Sequence, residues 1–167
     1  AAALKWLCQT PRPSVRALIL DTHWQTPTRQ LDDEYGVDWG ALDALFVALP
    51  NLELLYVLGH LRLKKPVKHA TLKHLSIVTK DLDTALLTTL AKSKLPALTS
   101  LGLCTGGEEH ADDDDAVVAL FAGKGLAGVT DVEVGGVFDP VAVVEACAGR
   151  GLDSLVVVDG TVSVLHT

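Results

Sequence analysis

Methionine is absent from the 167 residues, and an initiator with it, which points to a piece of a longer chain or a processed product. Aromatic side chains make up only 5% of the chain. That excludes a core built on large rings and leaves Leu, Val and Ala to fill it. No run of about 18 apolar residues occurs, so no transmembrane helix is written into the chain. Residues Ala1 to Cys8 lack the basic start and cleavage site of a signal peptide. The three cysteines, Cys8, Cys104 and Cys147, are odd in number, widely spaced and never arranged as C-x-x-C. They therefore read as free thiols in a reducing compartment, here the cytoplasm, rather than as a disulfide framework.

The signatures of catalysis are missing as well. There is no G-x-S-x-G, H-E-x-x-H or phosphate-binding P-loop. The six histidines are scattered; His69 and His74 lie five apart, with no cysteine or carboxylate at ligand spacing. Cys104 has no evident base beside it. The expectation is a protein that is not an enzyme and that takes no cofactor, no resident metal and no small-molecule substrate. Basic surface is also scarce: net charge is −7, and the only basic run is Arg62-Leu63-Lys64-Lys65 with Lys68. A nucleic-acid partner, which needs a basic patch, is excluded on this reading. A membrane partner is not expected either, whereas a neutral or basic protein face suits the acidic surface.

Two tempting motifs are discounted by their setting. Gly123-Lys124-Gly125-Leu126-Ala127-Gly128 has the form G-x-G-x-x-G but follows a helical stretch and precedes a strand, the reverse of a dinucleotide site. Gly123 reads instead as the glycine that ends a helix. The acidic run Glu108-Glu109-His110-Ala111-Asp112-Asp113-Asp114-Asp115 is rich in oxygen ligands of the kind Ca²⁺ takes. It lacks the alternation, central glycine and distant glutamate of a calcium loop, and its aspartates suit the N-terminus of a helix expected over 116–122.

What the chain does contain is a repeated segment, written apolar-x-x-apolar-x-apolar. Its six copies start at Val15, Leu52, Leu72, Leu98, Val129 and Leu152, and their fourth positions are Leu18, Leu55, Leu75, Leu101, Val132 and Leu155. The spacings are 37, 20, 26, 31 and 23 residues. The fourth and sixth positions alternate with the fifth, so they leave one face of a strand together. Between copies the chain reads mostly as loop and helix, which makes successive strands parallel. One such unit cannot bury its apolar face alone; stacking neighbours closes a core.

These segments, with Leu49-Pro50-Asn51-Leu52 and Leu95-Pro96-Ala97-Leu98 before two of them, resemble the leucine-rich repeat of the helix-containing, ribonuclease-inhibitor-like type. The chain is similar to cytoplasmic bacterial proteins of that kind over about residues 15 to 165. The resemblance implies an α/β solenoid: a curved parallel sheet of about six strands on the concave side, with helices and loops on the convex side. It also implies a role in binding proteins. One departure is clear. Where such repeats place Asn or Cys in the turn after the strand, this chain has His23, His60, Lys80, Gly106, Val137 and Gly160. Those turns must satisfy their backbone groups by other means.

By length the chain reads as a single domain over 1–167; a chain near 150 residues buries roughly 70% of its unfolded surface. Residues 1–14 read as a cap helix (Ala1 to Gln9), or the remnant of a preceding repeat, stopped by Pro11 and Pro13. Residues 21–37 form a long polar insertion. It is either a binding loop presenting Trp24 and Tyr35 or an insertion whose tryptophan folds back on the edge. Asp38 is expected to cap a helix over Trp39 to Leu49, which Pro50 ends. The short spacing leaves Leu61 to His69 without room for a helix. Asp81 is a candidate N-cap for a helix reaching Lys92. Asp139-Pro140 should open the last helix, closed by Gly149 or Gly151. Residues 152–167 then read as the last strand and a capping hairpin with Asp159-Gly160 in a type I′ turn, covering the open edge.

Partner binding is expected on the concave strand face, where positions three, five and seven of each segment point. The candidates are Ile19, Asp21, Leu54, Tyr56, Leu58, His74, Ser76, Asp131 and Glu133, with Tyr56 and Leu58 as anchors and the two acidic groups taking a basic residue. The alternative function is a substrate-recognition or regulatory arm of a larger multidomain enzyme or complex.

Overall fold

All six segments are strands, and they lie side by side in chain order. A computed structural model describes residues 2–21, 37–79, 82–105, 111–123, 126–136, 139–158 and 163–166. The elements are α1 (Ala2–Leu7), β1 (Ala17–Leu20), β2 (Asp38–Ala41), α2 (Asp43–Ala48), β3 (Leu54–Leu58), β4 (His60–Arg62), β5 (His74–Thr79) and α3 (Thr84–Ala91). They continue with β6 (Ser100–Thr105), α4 (Ala111–Ala122), β7 (Asp131–Gly135), α5 (Pro140–Cys147), β8 (Ser154–Val158) and β9 (Ser163–His166). The main sheet runs β1-β3-β5-β6-β7-β8-β9; every pair is parallel except the last, β8 with β9. The protein is thus α/β with a mostly parallel sheet.

Register is uniform despite the uneven spacing. Leu18, Leu55, Leu75, Leu101, Val132 and Leu155 stand opposite one another as one row, and Leu20, Val57, Ile77, Leu103, Val134 and Val157 as another. Apart from half-buried Leu18, these side chains are buried in one core with Leu45, Leu49, Leu86, Leu90, Leu120, Phe121 and Val143 from the helical side. A backbone device fixes this register at each strand entrance. The carbonyl of Arg16 accepts the N–H groups of both Glu53 and Leu54; Glu53, Lys73, Thr99 and Thr130 do the same for the strand that follows each.

The approach to several of the strands is a turn closed from residue i to i+3. Leu52 N–H donates to Leu49 O, Leu98 N–H to Leu95 O and Val129 N–H to Leu126 O. Pro50 and Pro96 occupy the second position of two of these turns, where a fixed φ favours them. At the third copy the partner changes: Leu72 N–H donates to Nδ1 of buried His69 at 3.2 Å.

Several boundaries differ from the sequence reading. The helix expected over Trp39 to Leu49 covers only Asp43–Ala48, because Asp38–Ala41 pairs in parallel with β4 as a second, two-stranded sheet. Asp38 binds Arg62 across that sheet and turns back onto Gly40 N–H at 2.7 Å, while Gly40 takes φ +74, so the chain leaves helical geometry here. The stretch from Leu61 to His69 has no helix; after β4 it pairs instead with the end of the next repeat. Lys94 N–H donates to Val67 O, His69 N–H to Lys94 O, and Val67 N–H to Ser93 Oγ at 2.9 Å.

The N-cap of α3 is Asp83, accepting Ala85 N–H at 2.7 Å; the expected cap, Asp81, lies outside the described residues. The fourth helix begins at Ala111 rather than Ala116, inside the acidic run. Gly123 follows that helix but its φ is not positive, so it is not a left-handed terminator. Asp139 caps α5 through Ala142 N–H at 2.9 Å, with Pro140 in the first turn, and Gly149 and Gly151 at φ +78 and +68 follow its end. The terminal hairpin is present, but Val158 faces Ser163. That leaves 159–162 between the strands, four residues where an Asp159-Gly160 type I′ turn needs two, and these four lie outside the described residues.

Candidate functional site: the open face of the sheet

Alternation sends every second strand residue away from the helices. Two rows emerge there. One is Ala17, Leu54, His74, Ser100, Asp131 and Ser154; the other is Ile19, Tyr56, Ser76, Gly102, Glu133 and Val156. All of these but Ala17 line a groove of about 410 Å³. Parallel sheets are ordinarily covered on both faces; here the groove face carries exposed and half-buried side chains instead.

The groove is chemically graded from one side to the other. At the β1–β3 side it is apolar: Ile19 is 51% exposed, and Leu54 and Tyr56 are half-buried. Its middle is small and polar, with exposed His74, half-buried Ser76 and Ser100, and buried Gly102. Gly102 is close to the limit of what fits, since a Cβ there would meet Ser76 Oγ at 3.1 Å. The β7 side is acidic. Glu133 is exposed, and Asp131 accepts the Thr130 hydroxyl at 3.0 Å while remaining half-exposed.

The strand entrances add a charged border. Glu53 accepts from Arg16 Nη1 at 2.5 Å and from Lys73 Nζ at 2.7 Å, bridging three strands. Those two hydrogen bonds hold the Glu53 carboxyl below the usual carboxylate range, Lys73 contributing more than Arg16. At the other end of the strands sits Cys104, opposite Gly135. Burial, and secondarily the charge of Glu133, push its thiol up to about 11, so it is a poor nucleophile at neutral pH.

Seven of the nine face residues read from the sequence line this groove: Ile19, Leu54, Tyr56, His74, Ser76, Asp131 and Glu133. Asp21 follows β1 and is half-buried, outside the groove lining. Leu58 is only 7% exposed and is not available as an anchor. Trp39 covers that end of β3, donating its indole N–H to Leu58 O at 2.8 Å, and a Cβ at Gly59 would meet the same nitrogen at 2.9 Å. Trp24 and Tyr35 lie outside the described residues, as do most of the acidic run's side chains. Ser100, Ser154 and Val156 also line the groove, as expected of positions three and five of their segments, in register with His74 and Tyr56.

Among the described residues no group of three His, Cys, Asp or Glu side chains is placed to hold a metal ion, and no helix is long and apolar enough to cross a membrane. Comparison of the chain with family models, with curated proteins and with solved structures returns no match.

Proposed function

We propose that this chain is a non-catalytic, leucine-rich-repeat-like interaction scaffold that holds a protein partner on its groove face. The observation that carries the reading is the open face itself: a parallel sheet whose second face presents apolar, polar and acidic side chains in two registered rows. A repeat solenoid is part of the proposal. Its support is the six strands in chain order and the carbonyl that receives two N–H groups at each strand entrance. The groove is shallow in chemistry as well as shape, with no nucleophile–base pair among its described side chains, which suits recognition better than turnover. A reducing, cytoplasmic setting belongs to the same proposal and is supported by Cys8, Cys104 and Cys147 each standing as a free thiol.

The test is partner capture from the native source followed by face variants. Tyr56→Ala and Ile19→Asp are expected to release the captured protein, at a cost of about 2 kcal/mol or more if Tyr56 is a hot spot. Val47→Asp on the helical side, at a residue 74% exposed, should leave capture unchanged. Equal capture by all three variants would show that the groove is not the binding surface.

A further inference from the structure

We infer that the ligand of the groove is an extended, cationic peptide segment lying across the strands, its apolar side chain on Tyr56 and its Lys or Arg on Asp131 and Glu133. This rests on the interaction-scaffold reading and adds the partner's chemistry and spacing to it. The argument begins with the distribution of charge. At the β1–β5 side the border groups are Arg16, Lys73 and Glu53, already tied to one another. At the β7–β8 side they are Asp131, Glu133 and Asp153, and among the described residues no cation is paired with them. The face is therefore polar in the electrical sense, and a positive group gains most at its β7 side.

The spacing follows from the register. Tyr56 and Glu133 occupy the same row, three strands apart. At about 4.8 Å per strand this is about 14 Å, the span of about four residues of extended chain. Between them the floor is Ser76 and Gly102, so no large side chain blocks a main chain crossing there. The sheet's own N–H and C=O groups are consumed by its parallel pairing, so recognition runs through side chains rather than by adding a strand. A segment with an aromatic or branched apolar residue and a Lys or Arg about four positions away fits these constraints.

A phage-displayed library of random twelve-residue peptides, panned on the purified chain, tests this. Enriched sequences should pair an apolar residue with Lys or Arg three to five positions apart. A synthetic peptide of the most enriched sequence should lose at least tenfold in affinity, by fluorescence anisotropy, on Glu133→Lys, and panning on that variant should shift the preference to Asp or Glu. Glu133 is exposed and Tyr56 half-buried, and circular dichroism checks that the variants fold. If peptides bind, lose affinity on Tyr56→Ala, and are indifferent to Glu133→Lys, the cationic inference is overturned while the face remains a binding site. If nothing is enriched, or binding ignores every face variant, the inference and the scaffold reading fail together.

Discussion

His69 holds two successive strand-entrance turns together by reaching Leu49. With Nδ1 taken up as acceptor for Leu72 N–H at 3.2 Å, the ring's proton sits on Nε2 and is donated to Leu49 O at 2.9 Å. That same carbonyl already closes its own turn on Leu52 N–H. The ring also stands edge-on to Phe46, with centroids 5.7 Å apart. His69→Ala would strand a buried N–H and weaken a buried C=O, at a cost of about 2–4 kcal/mol. Urea denaturation measures it, and Kd for a groove ligand should be unchanged in the folded fraction.

Glycines with positive φ divide into those that need only the dihedral and those that also need the space. A Cβ at Gly149 meets nothing within 4 Å, whereas at Gly136 it would lie 2.0 Å from Thr105 O. Gly149→Ala is expected to cost about 1 kcal/mol from the left-handed backbone alone. Gly136→Ala should cost about 3 kcal/mol or more, because the end of β6 must move. Thermal denaturation of the pair gives the comparison, and equal losses would show that the close approach is not rigid.

Arg150 closes the end of α4 from a distance in sequence. Its Nη1 donates to Phe121 O at 2.5 Å and Gly123 O at 3.0 Å, and its Nη2 to Leu126 O at 2.7 Å. The flat guanidinium serves three carbonyls at once, which an ammonium cannot match. Arg150→Lys should therefore destabilise by about 1–2 kcal/mol despite keeping the charge. Hydrogen exchange should locate the loss at 119–123, the last turn of α4, before the rest of the core.

Cys104 supplies a pH-dependent readout of the groove. With its thiol at about 11, alkylation by iodoacetamide should rise roughly tenfold per pH unit from pH 8 to 10 without reaching a plateau. The sign of the neighbouring charge is testable: Glu133→Gln removes a group that disfavours the thiolate, so it should speed alkylation at fixed pH. Folding stability has the matching direction. The folded thiol titrates above the unfolded one, so stability is full below the ordinary thiol range and falls as pH rises through it towards about 11. Peptide mass mapping at each pH separates Cys104 from Cys8 and Cys147.

The strands and the two faces were legible in the sequence because a period of two along a strand leaves a pattern that survives irregular spacing. Tyr56, Ser76 and Glu133 came out on one row for that reason. Leu58 did not behave as its position in the pattern suggested, since burial there is imposed by Trp39, nineteen residues earlier and in a different sheet. The second sheet itself was hidden: Trp39, Leu42, Phe46 and Leu49 have helical spacing, and nothing local shows that Asp38 will pair with Arg62. His69 and Arg150 were illegible in the same sense, as their hydrogen bonds join segments 20 to 29 residues apart.

The carbonyl shared by two N–H groups at each strand entrance makes the face an addressable grid. Intervals of 37, 20, 26, 31 and 23 residues between the in-register positions Leu18, Leu55, Leu75, Leu101, Val132 and Leu155 all deliver the same alignment, so the length of the connecting chain and the identity of the facing side chains vary independently. A specificity carried by two rows on six strands can then be rewritten one position at a time, without re-aiming the neighbours.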